Sequence, residues 1–256
     1  MTSLRDRVAL VTGVGRRAGI GAAIARELAR AGATVFVSFF RRYDQAQPWG
    51  SDDAMPEALL LELRAHGEAD GCELDLSDPT APAALFAAAR RRFGRVDVLV
   101  NNAAHWEAGG IERIDAAQLD RHFAVNARAA VLLCAEFARQ TLDGTPGRIV
   151  NITSGQGRGP MPGELAYAVT KAALDALTLS LSAELADRGI TVNAVDPGPT
   201  DTGWMTPGVK AALEAASPTG TVASPQDTAR VVRELAGEAA AHVTGQIVRV
   251  RPTGSV

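Results

Sequence analysis

The chain has 256 residues, 46% of them hydrophobic, and a formal net charge of −3. That length and apolar fraction fit one α/β domain with a sizeable core. The small charge and dispersed basic residues speak against nucleic acid as a partner, and the opening run "RVALVTG" is too short for a signal peptide or a membrane span.

Strand and helix patterns alternate from the start. "RVALVT" is a short apolar strand, and "GIGAAIARELARAG" places Ile20, Ile24, Leu28 and Ala31 on one helix face, closed by Gly32. "ATVFVSF" is a strand, "PEALLLELRAHG" a helix, "DGCELD" a short strand and "PTAPAALFAAARRRFG" a helix. "VDVLVN" is a buried strand, 116–141 a long helix, "GRIVNITS" a strand and 164–187 a second long helix. "ITVNAVDP", a helix over 225–236 and the strand "GQIVRV" complete the series. Seven strands alternating with helices, several of them apolar throughout, predict a parallel sheet covered on both faces, a doubly wound Rossmann α/β fold. Residues 1–256 form one dinucleotide-binding and catalytic domain in this reading. Two stretches, 41–54 and 198–222, read as long loops, the second as a substrate lid.

Cys72 and Cys134 lie in apolar surroundings and read as reduced core residues, which suits a cytoplasmic protein. Neither they nor His66, His105, His122 and His242 have the spacing of a metal site.

The loop "VTGVGRRAGIG" joins the first strand to the first helix. Glycines there let the backbone approach a pyrophosphate, which the helix N-terminus attracts. Gly13, Gly19 and Gly21 carry that role; Gly13 to Ala18 also reads as G-x-G-x-x-A, the other dinucleotide fingerprint. An NAD site places an acid at the end of the second strand, but Phe39-Phe40-Arg41-Arg42 stands here and no acid follows until Asp44. Arg41 and Arg42, with Arg16 and Arg17, instead suit the extra phosphate of NADP. NADP(H) is therefore preferred, with NAD(H) the alternative.

The chain holds two tyrosines and two lysines among 26 basic residues, yet "AYAVTK" sets Tyr167 and Lys171 four apart. On a helix that spacing shares one face. A phenol of pKa about 10 needs about 4 kcal/mol to fall by three units. An ammonium at ~4 Å supplies about that much at an effective dielectric near 20. The pair can therefore deliver a proton to a developing alkoxide.

Taken in order along nearly the whole chain, these motifs resemble those of the short-chain dehydrogenase/reductase family. "TGVGRRAGIG" is similar to its glycine loop with two extra residues, and contributes Thr12, Gly13, Gly19, Ile20 and Gly21. "DLSD" resembles the adenine-contacting segment, Asp75 and Leu76; "NNAA" brings Asn102, Ala103 and Ala104. "VNARA" puts Asn126 where the family's relay asparagine stands, and "NITSG" puts Ser154 at the catalytic serine. Tyr167 and Lys171 complete that set and also touch the cofactor; "DPGPTDT" resembles the segment under the nicotinamide, with Pro197, Gly198, Thr200 and Thr202. The ending "VRVRPTGSV" lacks the family's Asp-Gly-Gly.

The resemblance implies hydride transfer between NADP(H) and a small carbonyl or alcohol, as in 3-oxoacyl reductases. Alternatives are an NAD-dependent alcohol dehydrogenase and a non-catalytic NADP(H)-binding regulator. Candidate substrate walls are His105, Trp106, Gln156, Met161, Trp204 and Met205. Family members pair helices like 116–141 and 164–187 between subunits, which implies a homotetramer or homodimer.

Overall fold

The computed structural model describes residues 3–141 and 145–251, so the last residues of the atypical C-terminal segment lie outside it. Seven strands make one parallel sheet: β1 Val8–Val11, β2 Thr34–Phe39, β3 Ala69–Glu73, β4 Val98–Asn101, β5 Gly147–Ile152, β6 Ile190–Asp196 and β7 Ile247–Arg249. Their order is β3-β2-β1-β4-β5-β6-β7, with every neighbouring pair parallel. β1, β4, β5 and β6 are buried at every position, as strands covered on both faces must be. The order reverses between β1 and β4. Such a switch point, at the C-terminal ends of the strands, is where sheets of this kind bind ligands.

Helices α1 Ile20–Arg30, α3 Met55–Arg64 and α9 Pro225–Ala236 close one apolar core against one face of the sheet. Helices α4 Ala81–Phe93 and α6 Ala129–Gln140 cover the other. Local chemistry sets the ends. Gly94, at φ +83°, terminates α4. Ser224 and Asp227 form a reciprocal capping box at the start of α9, with Pro225 in the first turn.

The expected helix over 116–141 is three pieces: α5 Ala116–His122, a π-helical turn Phe123–Arg128, and α6. A π turn inserts one residue into the helical spacing, and neither Gly nor Pro marks it in Phe123–Arg128. The two expected long loops also hold helix. Short α2, Arg41–Gln45, follows β2 directly, and α8, Pro207–Ala216, is capped by Thr206. α8 buries none of its residues. α7, Leu165–Glu184, is the second long helix, as expected.

Candidate active site

The C-terminal ends of β1, β4, β5 and β6 gather the predicted residues. The Thr12 hydroxyl accepts the backbone N–H groups of Asn102 and Ala103, each at 3.0 Å, and the Asn102 amide returns bonds to the carbonyls of Thr12 and Gly13. Ala104 continues that loop, partly buried. These bonds press the loops after β1 and β4 together. A Cβ on Gly13 would lie 2.5 Å from Ala103 Cα, and the residue has φ +73°. A Cβ on Gly21 would lie 2.8 Å from the Gly13 carbonyl oxygen, so α1 enters against the loop only with glycine there.

Gly19 is the N-cap of α1, with no side-chain cap and no acid in the first turn. The opening N–H groups of Ile20 and Gly21 therefore face the crevice with the positive end of the helix dipole, which suits a dinucleotide pyrophosphate. Across the crevice, Gly198 turns at φ +62° after Pro197. Thr200 bonds back to the carbonyls of Pro197 and Gly198, and Thr202 is buried.

The four arginines expected at the phosphate part company. Arg16 reaches over the crevice mouth, donating to the Thr202 carbonyl at 3.3 Å and its hydroxyl at 3.2 Å, with Trp49 below at 4.5 Å and Asp44 at 3.9 Å. Burial lowers its pKa, against the pull of Asp44. Arg42 is exposed, and Arg17 pairs with Asp52 at 3.6 Å. Arg41 pairs with Glu57 and Glu73, each at 3.4 Å, so two carboxylates already hold the guanidinium that the sequence reading assigned to phosphate. Asp44 is the acid at the glycine loop: a Cβ on Gly15 would lie 2.2 Å from its Oδ2. Asp75 closes a local turn by accepting from Ser77 N at 2.8 Å, and Leu76 packs into the core.

Ser154 follows β5, and Tyr167 and Lys171 share a face of α7. Lys171 is 2% exposed; its Nζ donates to the Ile152 carbonyl at 2.8 Å and lies 5.7 Å from the centre of the Tyr167 ring. Burial pushes the Lys171 ammonium down to about 8. Burial also pushes the partly buried Tyr167 phenol well above its ordinary value, while a hydrogen bond with Ser154 draws it down and Glu164 and Tyr43 add to the rise. The lowered phenol expected from sequence is thus corrected for the protein by itself. Desolvation wins, because the ammonium bonds a strand carbonyl rather than the hydroxyl.

Asn126 sits in the π turn, 1% exposed. Its Oδ1 accepts from His105 N at 2.6 Å, and Nδ2 donates to the His105 carbonyl at 2.9 Å and to Thr170 Oγ1 at 3.0 Å. Its side chain therefore ties the loop after β4 to α7, between the two residues of the Tyr–Lys pair. The Tyr43 hydroxyl grips the next residue, accepting from Trp106 N at 3.0 Å. Sequence reasoning missed Tyr43 and Thr170; the scarcity of tyrosine was the one available signal.

Of the substrate candidates, His105, Trp106, Met161 and Met205 are partly buried around the cleft loops. Trp204 is 48% exposed beside α8, its indole donating to the Thr200 carbonyl. Gln156 turns its amide to Ser154 and Asp175.

Residues 13–251 match the family model described as enoyl-(acyl carrier protein) reductase. The chain is 42% identical over 251 residues to the uncharacterized oxidoreductase YjdA of Bacillus subtilis, covering 97% of this chain and 96% of that one. The chain belongs to the short-chain dehydrogenase/reductase family. It is thereby an NAD(P)-dependent oxidoreductase. Another member of the family, the NADPH-dependent aldehyde reductase-like protein of Arabidopsis thaliana, is 35% identical, with 96% and 93% covered. A short-chain dehydrogenase from Burkholderia cenocepacia, solved in complex with NADP, superposes with a TM-score of 0.86 at 32% identity, over 98% of each chain. No helix among the described residues is long and apolar enough to cross a membrane.

Proposed function

We propose that this protein reduces a ketone or aldehyde to the alcohol with NADPH, using Tyr167 as general acid. The observation that carries the reading is the Tyr167 phenol on one face of α7 with the buried Lys171 ammonium 5.7 Å from its ring, beside the end of β5 that carries Ser154. When bound, the reduced nicotinamide supplies the hydride. Tyr167 gives its proton to the oxygen that becomes alkoxide. The phenol carries its proton at neutral pH, the form from which that step starts, although burial makes it a weaker acid than free tyrosine. Ser154 orients the reacting oxygen. Lys171 has two N–H donors beyond the one on Ile152, and these suit the ribose hydroxyls. Asn126 holds the loop that borders the site; its relay role rests on the family resemblance.

Gly13, Gly19, Ile20 and Gly21 would hold the pyrophosphate, and Asn102 to Ala104 with Pro197 to Thr202 the rest of the dinucleotide. Arg16 and Arg42 support NADP(H), as do the NADPH-dependent Arabidopsis relative and the NADP complex of the Burkholderia protein. Asp44 favours the second reading, an NAD-dependent alcohol dehydrogenase, because it reaches the glycine loop. Titrating NADPH and NADH separately, then following oxidation of each with p-nitrobenzaldehyde and ethyl acetoacetate, decides between them. Tighter NADH binding and faster NADH turnover overturn the NADPH reading.

The segment 198–222 suits a substrate lid, since α8 rests on nothing it buries. Exposed Phe123, Val131, Val169 and Leu179 lie along the π turn, α6 and α7, which supports assembly into a homodimer or homotetramer through those helices. Light scattering on wild type and Leu179→Glu tests it, and a monomeric wild type rejects it. Two unpaired thiols suit a cytoplasmic setting.

A further inference from the structure

The loop after β5 turns back on itself. Arg158 N donates to the Gly155 carbonyl at 2.9 Å, and the guanidinium lies against Gly155, the residue next to Ser154. A Cβ on Gly155 would stand 2.4 Å from Arg158 Nη2 and 2.7 Å from Nε, so only glycine leaves that space open. The same Nη2 would lie 3.5 Å from a Cβ on Gly198, across the cleft in the Pro197–Gly198 turn. Asp196, at the end of β6 and 1% exposed, anchors the guanidinium there. Its Oδ2 lies 2.8 Å from Arg158 Nε, and no other donor reaches that oxygen. Its Oδ1 accepts from Arg158 Nη2 at 3.1 Å and from Gly198 N at 2.9 Å. One carboxylate oxygen thus holds a donor from each of two loops.

We propose that Arg158 and Asp196 are positioning residues: their ion pair fixes the loop that carries Ser154 against the turn assigned to the dinucleotide. The proposal rests on the reductase reading above. In that reading Ser154 orients the carbonyl from one loop while the other loop holds part of the hydride donor, so the two must keep a fixed separation. A displacement of about 1 Å between such groups can cost about a hundredfold in rate. β5 and β6 pair as far as Ile152 and Val195, and the ion pair continues their link beyond the end of that ladder. The Ser154 hydroxyl takes no part in the link and stays available to the reacting oxygen.

The test uses the full-length protein, single-turnover oxidation of prebound NADPH by p-nitrobenzaldehyde and ethyl acetoacetate, and melting curves of the protein without cofactor. Arg158→Met leaves a buried carboxylate with one backbone donor, so its melting midpoint should fall by about 5 °C or more. Asp196→Asn keeps the shape and the bond to Gly198, but sets an amide NH2 against Arg158 Nε, donor facing donor, and releases the guanidinium. Its midpoint should fall less, because the Arg158 side chain is 27% exposed and reaches water. The double variant buries no charge at this place, and its midpoint should return to within about 2 °C of wild type. The rate should not follow. Each single variant and the double variant lack the link, so each should react about tenfold or more slowly than wild type. The NADPH Kd should stay within about threefold, because the glycine loop is untouched. A merely structural pair predicts a rate that recovers with stability in the double variant. That recovery, a double variant whose midpoint stays low, or a wild-type rate in Asp196→Asn overturns the proposal while the reductase reading stands. If Arg158→Met does not fold, the rate of Asp196→Asn decides alone. A wild type that turns over neither probe overturns both.

Discussion

The Lys171 ammonium lies 5.7 Å from the centre of the Tyr167 ring and donates to the carbonyl of Ile152 at 2.8 Å. A buried cation held by one carbonyl is a cost to the fold. Its pKa is depressed to about 8 from 10.5, so below pH 8 both folded and unfolded chains carry the charge and the full penalty is present. Between about 8 and 10.5 the unfolded chain binds the extra proton, and stability rises with pH. Comparing denaturant unfolding of wild type and Lys171→Met checks this. Wild type should gain about 2 kcal/mol on the variant between pH ~7 and pH ~9.5. A difference independent of pH contradicts the buried, charged lysine.

Asn126 makes a different kind of contribution. It satisfies both backbone groups of His105 and one hydroxyl of α7. Asn126→Ala removes the side-chain partner of both His105 backbone groups, while the Thr170 hydroxyl still donates to the Ala166 and Tyr167 carbonyls, so the loss should be about 1–3 kcal/mol of stability by urea unfolding. Activity should fall further than stability, since the freed loop borders the reacting atoms. An unchanged midpoint would show that the clamp is dispensable.

Cofactor choice separates the arginines. Arg16→Ala removes a guanidinium poised over the crevice and should weaken NADPH about tenfold while changing NADH little, as loss of one charge-assisted phosphate contact requires. Arg41→Ala should change NADPH affinity by less than about twofold, because Glu57 and Glu73 already hold that side chain. Equilibrium fluorescence titration of both cofactors measures this. Equal losses in the two variants would place Arg41 on the phosphate after all.

Much of this was legible because short-range patterns carried it. "VALV" and "VLVN" are apolar at nearly every position, as strands buried on both faces are, and the sheet followed from the alternation of such runs with helices. The glycine loop and the Tyr–Lys spacing likewise act through residues a few positions apart. What sequence could not show depends on distant partners. Nothing near Arg41 announces that Glu73, thirty-two positions on, accepts its backbone N–H. The π turn at Asn126 contains neither Gly nor Pro, so its helix reads as continuous. Gln156 resembled a pocket wall because Asp175, nineteen residues later, returns to it only when α7 packs. α8 hid among Pro, Gly and Thr because it has no buried face to give it a period.

The central claim is that Tyr167 delivers the proton. The most direct measurement is single-turnover oxidation of prebound NADPH by p-nitrobenzaldehyde in wild type and Tyr167→Phe, with NADPH affinity determined for both. Binding should be comparable and the rate of the variant at least about a hundredfold lower, the scale expected for a general acid. Turnover in Tyr167→Phe at the wild-type rate, with cofactor bound equally well, would contradict it.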